Sequence, residues 1–284
     1  MLPVNVYIRK FKNRFSTSDA QSPKIYWWNP FGLTGAQNFG DKLGPVLLNK
    51  IFKIQYTYAD IEECDIITIG SILNFVNDVE NILQIDHPIH VWGSGLIEPV
   101  DGPFVQNLKY SAVRGHLTAD LLNIRNVQLG DPGLLCSLVY KKSHNTKKKI
   151  CIIPHHEEID LPFFKSIQDN EHLIVVSPLA EPDDIVPVIA SSSLVLSSSL
   201  HGLIVADSFS IPNARLHASD RLKGGDFKFN DYYSALSKHP LQFDVSNNKD
   251  LEKIIKQTIK CYTPIDNLKD LQNGLLKAFP TSIN

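Results

Sequence analysis

Little in this chain marks it as a metal, disulfide, membrane or nucleic-acid protein. Its 284 residues hold four cysteines, Cys64, Cys136, Cys151 and Cys261, far apart and without a C-x-x-C pair. That spacing supports neither a zinc ribbon nor a disulfide framework and fits buried thiols in a reducing compartment. No apolar run approaches the roughly 20 residues that cross a bilayer. The N-terminus lacks the charged-then-apolar layout of a signal peptide. A net charge of -2 leaves no basic excess for nucleic acid. No G-x-S-x-G elbow forms, because Trp92 precedes the Gly-Ser-Gly at 93–95. These absences point to a cytoplasmic protein with no bound metal and no nucleic-acid partner.

What is present is a globular composition, 43% hydrophobic and 20% charged. Short apolar runs alternate with helix-period segments, the pattern of an α/β protein with parallel sheets. Strands are expected at 24–28, 64–70, 88–95, 110–115 and 126–132, then at 149–156, 172–178, 192–198 and 211–217. Helices are expected between them, and two amphipathic ones close the chain at 250–262 and 265–279. The lysine-rich KKSHNTKKK (141–149) reads as an exposed connection. The division is thus 1–145 and 146–284, two doubly wound Rossmann-like domains facing a cleft. IRKFKNRF (8–15) is a basic arm with interleaved apolar residues, a solvated tail or a peripheral contact with the inner membrane surface.

In open α/β sheets ligands gather beyond the carboxyl ends of the strands, so polar residues at strand ends and helix starts are the candidates. Asn38, Gly40 and Asp41 precede an amphipathic helix, where free N–H groups attract anions. Gly93 and Ser94 form a turn expected to line the cleft. Arg114 ends a strand and offers a planar fork of donors to carboxylate or phosphate. Asp131 in LGDPG sits at the same edge as a structural turn residue. His155 and His156 end another strand, where neighbours point to opposite sides, so only one is expected to face the cleft. Lys228 and Asp231 lie near a helix start, with Asn230 or Asp231 available as a cap. The run Ser199, Leu200, His201, Gly202 joins a serine-rich strand end to an apolar helix, and His201 is the residue on which these lines converge. An imidazole there can hold an anion and exchange a proton.

With those residues in view, the chain resembles the polysaccharide pyruvyl transferase family. The pieces are NFGDKLGPVL, the I-G-S and VWGSG strand ends, VRGHLTADLL, LGDPGLL, IIPHH and SSSLHGLIVADSFSIP, in the family's order over roughly residues 24–240. Ser199 stands where the family often has arginine, so that donor contact is either missing or supplied by another residue such as Arg215, Arg221 or Lys228. The resemblance implies a GT-B-type fold and transfer of pyruvate from phosphoenolpyruvate onto two hydroxyls of a sugar, giving a cyclic ketal and phosphate. It implies no cofactor beyond phosphoenolpyruvate as co-substrate, and a sugar or lipid-linked oligosaccharide as acceptor. The C-terminal domain would carry the donor and the N-terminal domain the acceptor. His201 would contact phosphate and move a proton, Arg114 would hold the carboxylate or phosphate, and Asp41 would act as base or orient the acceptor. Two alternatives stay open: a nucleotide-sugar-dependent glycosyltransferase, with Asp207 toward the ribose, and a non-catalytic glycan-binding subunit.

Overall fold

A computed structural model describes residues 22–29, 37–83, 85, 87–101, 107–142, 149–167, 169, 171–247 and 250–280. The basic arm at 8–15 and most of the lysine-rich connection lie outside them. The alternating pattern folds into two sheets. The first holds β1 (Lys24–Tyr26), β2 (Thr57–Tyr58), β3 (Ile66–Ile67), β4 (Ile89–Trp92), β5 (Leu108–Val113) and β6 (Gln128–Leu129), in the order β2-β1-β3-β4-β5-β6. The second holds β7 (Ile150–Ile153), β8 (Leu173–Val175), β9 (Leu194–Ser197), β10 (Asn213–His217) and β11 (Gln242–Asp244), in the order β11-β10-β9-β7-β8. Every pairing is parallel. The edge strands β2 and β11 are additions to the sequence reading. They are two and three residues long and partly exposed, too short for a period to show.

Alternate residues explain why the strands read as continuous apolar runs. Ile25, Ile66, Cys151, Ile153 and Val195 enter one central core shared by both sheets. Their neighbours Tyr26 and Ile67 enter a second core on the outer face of the first sheet. Ile152, Leu194 and Leu196 do the same on the second sheet. Both faces of each sheet are therefore covered, as parallel sheets require.

Ten α-helices are found among the described residues: α1 (Phe39–Leu47), α2 (Leu73–Leu83), α3 (His116–Leu121), α4 (Cys136–Val139), α5 (Pro162–Lys165), α6 (Pro182–Ala190), α7 (Leu200–Ser208), α8 (Phe227–Ala235), α9 (Leu251–Cys261) and α10 (Leu268–Ala278). All nine residues of α7 are buried, which explains its lack of a polar face. This helix begins three residues before the expected start at Leu203, so His201 lies inside its first turn. The last helix crosses back to the first sheet although it belongs to the second half of the chain. Trp92 Nε1 donates to the Leu275 carbonyl at 2.9 Å, and the Phe279 ring stacks on Phe52 at 4.2 Å.

Each sheet has one point where the chain leaves a strand for opposite sides: between β1 and β3, and between β7 and β9. Such switch points open a crevice at the carboxyl ends of the strands. Here the two crevices face each other.

Candidate active site

A cavity of about 450 Å³ lies where the switch points meet. Trp28 follows β1, Ser71 and Ile72 follow β3, His155 and His156 follow β7, and Ser199, Leu200 and His201 follow β9; all line it. Asn38 and Asp41 reach it from the start of α1, and Lys228 from the start of α8. Seven of the sequence candidates thus share one wall-to-wall space: Asn38, Asp41, His155, Ser199, Leu200, His201 and Lys228.

His201 is held from three sides. Its ring meets Phe39 edge-on, with centroids 6.4 Å apart. Gly40 packs against it so closely that an added Cβ would lie 2.1 Å from Nδ1. Its Nε2, shut off from solvent and without a hydrogen-bond partner, lies 3.7 Å from Asp131 Oδ2. Asp131 is itself fixed, because its Oδ1 accepts the Gly133 N–H at 2.8 Å. The turn residue expected to be structural is therefore also the carboxylate behind the histidine. Ser199 caps α7 through its backbone position without a side-chain hydrogen bond, so the helix presents its positive end to the cavity.

Asp41 lines the same cavity. Burial pushes its carboxyl up to about 6, while His201 and Lys228 pull it back. Lys228, 8% exposed, is brought down to about 8 by burial and by Arg114, with Asp41 opposing. Its Nζ lies 3.4 Å from His155 Nε2. Burial and the Lys228 charge push His155 down to about 2, so that ring stays neutral. Burial also lowers His156, whose Nδ1 is 3.5 Å from Asn38 Nδ2. The two histidine rings lie against each other, tilted by 32° with centroids 4.3 Å apart, and both line the cavity, contrary to the expected alternation. The reason is local: β7 ends at Ile153, and strand alternation no longer applies beyond it. Among the described residues, no three His, Cys, Asp or Glu side chains are placed to hold a metal ion.

Other candidates lie elsewhere. Arg114 does not line the cavity; it is 1% exposed and fully engaged. Its Nε donates to Asp231 Oδ2 at 2.8 Å, Nη1 to Ser71 Oγ at 2.5 Å and Nη2 to the Leu96 carbonyl at 2.5 Å. Asp231 sits within α8 rather than capping it and also accepts from the Thr118 N–H and hydroxyl. Arg114 therefore clamps α8 onto the first sheet and reaches the cavity only through Ser71. Ser94 is buried with its hydroxyl donating to the Gly70 carbonyl, and Gly93 (φ 90°) packs against Pro132; neither lines the space. Gly202 serves packing, since a Cβ there would lie 2.4 Å from Ser197 Oγ. Of the possible replacements for the arginine missing at Ser199, Arg215 is buried over the Phe229 ring and paired to Asp226, and Arg221 is paired to Asp160. Lys228 alone of the three faces the cavity. Ser71, Trp28 and Phe75 are lining residues that sequence reasoning did not single out.

The profile of polysaccharide pyruvyl transferases matches residues 3–216. The chain belongs to that family. It is similar to the succinoglycan biosynthesis protein ExoV of Rhizobium meliloti (strain 1021), at 25% identity over 225 residues, covering 74% of this chain and 64% of ExoV. It is also similar to the uncharacterized protein L143 of Acanthamoeba polyphaga mimivirus, at 31% identity over 133 residues, covering 44% of this chain and 45% of that protein. The match thus spans less than two thirds of either relative's length. No helix among the described residues is long and apolar enough to cross a membrane.

Proposed function

We propose that this pyruvyl transferase family member moves pyruvate from phosphoenolpyruvate onto two hydroxyls of one sugar of a surface or exopolysaccharide precursor, releasing phosphate. The observation that carries the reading is the cavity floor. Lys228, His201 and the start of α7 line it and share the cavity with Asp41, at the switch points of both sheets. A small enol that carries both a carboxylate and a phosphate needs such convergent cations and N–H groups. In this reading the Lys228 ammonium takes the role first given to Arg114 and grips carboxylate or phosphate. His201 contacts phosphate and moves a proton, with Asp131 positioning its ring. Asp41, in its ionised form, takes the proton of the attacking hydroxyl.

A proton adds to C3 of the enol, making a methyl group and oxocarbenium character at C2. The first hydroxyl oxygen bonds to C2 and loses its proton. The C2–O bond to phosphate then breaks, and the second hydroxyl closes the ketal, its proton leaving with phosphate. The donor comes from the cytoplasm, which is where we place the protein, at most peripheral to the membrane that holds a lipid-linked acceptor. We read the paired sheets around one cleft as GT-B-type.

The nucleotide-sugar alternative loses its ribose contact. Asp207 is 3% exposed and spent on Asn213 Nδ2 at 2.7 Å and the Tyr232 hydroxyl at 3.0 Å. Incubation with phosphoenolpyruvate and candidate glycans tests the proposal. Acceptor-dependent phosphate release and a new ketal methyl signal by NMR are expected. Tight binding of a nucleoside diphosphate with none of phosphoenolpyruvate would overturn it.

A further inference from the structure

The cavity is chemically two-sided. Its floor, lined from the second half of the chain, carries Lys223, Lys228, Glu157 and three histidines, while the wall lined from the first half carries Asp41, Trp28, Phe75, Asp78 and Glu98. Trp28 and Phe75 are 38% and 40% exposed, two of the few large hydrophobic side chains left open among the described residues. They meet edge-on with ring centroids 5.2 Å apart. Phase and tilt are set from behind: Phe75 stacks on Tyr26 at 6.3 Å, and Tyr26 meets Tyr58 at 6.3 Å. Asp78 lies one helical turn beyond Phe75 on α2, on the same face. The loop carrying Glu98 is pinned to that helix, because Asn74 Nδ2 donates to the Glu98 carbonyl at 3.1 Å and Asn74 Oδ1 accepts the Ile97 N–H at 2.8 Å. Glu98 is met across the cleft by Lys223 at 3.4 Å.

Exposed aromatic faces that are held rigid and rimmed by polar groups mark a binding surface. Of the two carboxylates beside the rings, Glu98 is paired to Lys223, and Asp78 disfavours a phosphate on this wall. They are acceptors only when ionised, and they suit a ligand rich in hydroxyl donors with an apolar face. A pyranose ring has that chemistry: axial C–H groups for the rings of Trp28 and Phe75, and hydroxyls for Asp78 and Glu98. The volume of about 450 Å³ exceeds what a three-carbon donor fills, and it falls in the usual range for a ligand site.

We propose that Trp28, Phe75, Asp78 and Glu98 form the acceptor-sugar subsite, holding a pyranose over the floor so that its hydroxyl pair faces Asp41. This rests on the pyruvyl transfer reading. Full-length protein is titrated by calorimetry with a panel of neutral hexoses and disaccharides, and separately with phosphoenolpyruvate. At least one saccharide binds, and Phe75→Ala, Trp28→Ala and Asp78→Asn each weaken it tenfold or more while phosphoenolpyruvate affinity stays within twofold. Thermal melts confirm folding, and the exposed Asp78→Asn change keeps the test valid if an aromatic variant is unstable. Phosphoenolpyruvate binding without any saccharide binding, or saccharide binding indifferent to all three changes, overturns the subsite and leaves the donor reading standing. Saccharide binding without phosphoenolpyruvate binding does the reverse. Binding of uridine or adenosine nucleotides that is lost in Phe75→Ala assigns the shelf to a base and overturns the proposal.

Discussion

Replacing Gly40 with alanine adds one methyl group at the tightest contact in the site. The new Cβ would lie 2.1 Å from His201 Nδ1, 2.5 Å from Cγ and 2.9 Å from Cβ. Unstrained contacts need about 3.5 Å, so the two groups must separate by about 1.4 Å. Turning the imidazole cannot supply that, because the crowding reaches the His201 Cβ; α1 or α7 has to shift. Those helices carry Asn38 and Asp41 on one side and Ser199 and His201 on the other. A misplacement of about 1 Å at reacting groups costs on the order of 10²-fold in rate. Stability changes less: overpacking costs about 1–3 kcal/mol, while alanine gains about 1 kcal/mol over glycine within a helix. Gly40→Ala therefore stays folded by circular dichroism, loses about 100-fold in acceptor-dependent phosphate release, and binds phosphoenolpyruvate more weakly. Gly274→Ala is the control, since its Cβ meets only the far end of the Gln128 side chain and both activity and fold are kept. Full activity in Gly40→Ala with an unchanged melting temperature would refute the packing argument.

Turnover is expected to follow a bell in pH, rising as Asp41 ionises near 6 and falling as Lys228 loses its proton near 8; Asp41→Asn abolishes the rising limb and Lys228→Met the falling one. Both groups also cost stability in opposite directions. Asp41, raised in the folded state, gives stability that is full below about 4 and lost as pH climbs through about 6, so Asp41→Asn gains up to about 3 kcal/mol at pH 7 in urea melts. Lys228, lowered in the folded state, gives stability that is full above about 10.5 and lost as pH falls through about 8, so Lys228→Met also stabilises at pH 7. Arg114→Leu, by contrast, leaves the Asp231 carboxylate buried without its partner and destabilises by about 3–5 kcal/mol, much of it recovered in Arg114→Leu with Asp231→Leu. A normally stable Arg114→Leu with lost phosphoenolpyruvate affinity would return Arg114 to the donor site. Asp131→Asn keeps the turn cap but removes the charge facing His201, and lowers kcat tenfold or more with phosphoenolpyruvate affinity within about threefold in calorimetry.

The rule that ligands gather beyond strand ends points to most of the sequence candidates that line the cavity. Asn38, Asp41, His155, Ser199 and His201 are short-range features: each follows an apolar strand run or opens a helix, so position along the chain implies position in space. Direction was not legible. Arg114 stands at a strand end as read, but its partner Asp231 is 117 residues away and only the fold brings α8 over it. The same holds for the last helix, whose Leu275 carbonyl meets Trp92 across 183 residues. His156 was misplaced because a period-two argument was carried past Ile153, where β7 stops. Trp28 and Phe75 carried no signal at all. The first read as the end of a strand and the second as one apolar position of a helix, and their meeting depends on the order of β1 and β3 in the sheet.

The central claim is that one cavity floor binds a small phosphorylated carboxylate through Lys228 and His201 while Arg114 does not touch it. Calorimetric titration of phosphoenolpyruvate into the unaltered protein, Lys228→Met, His201→Ala and Arg114→Lys at pH 7 tests it most directly. The account predicts binding to the unaltered protein, a loss of tenfold or more in the first two variants, and affinity within a few-fold in the folded fraction of Arg114→Lys. Equal affinity in Lys228→Met and His201→Ala would contradict it.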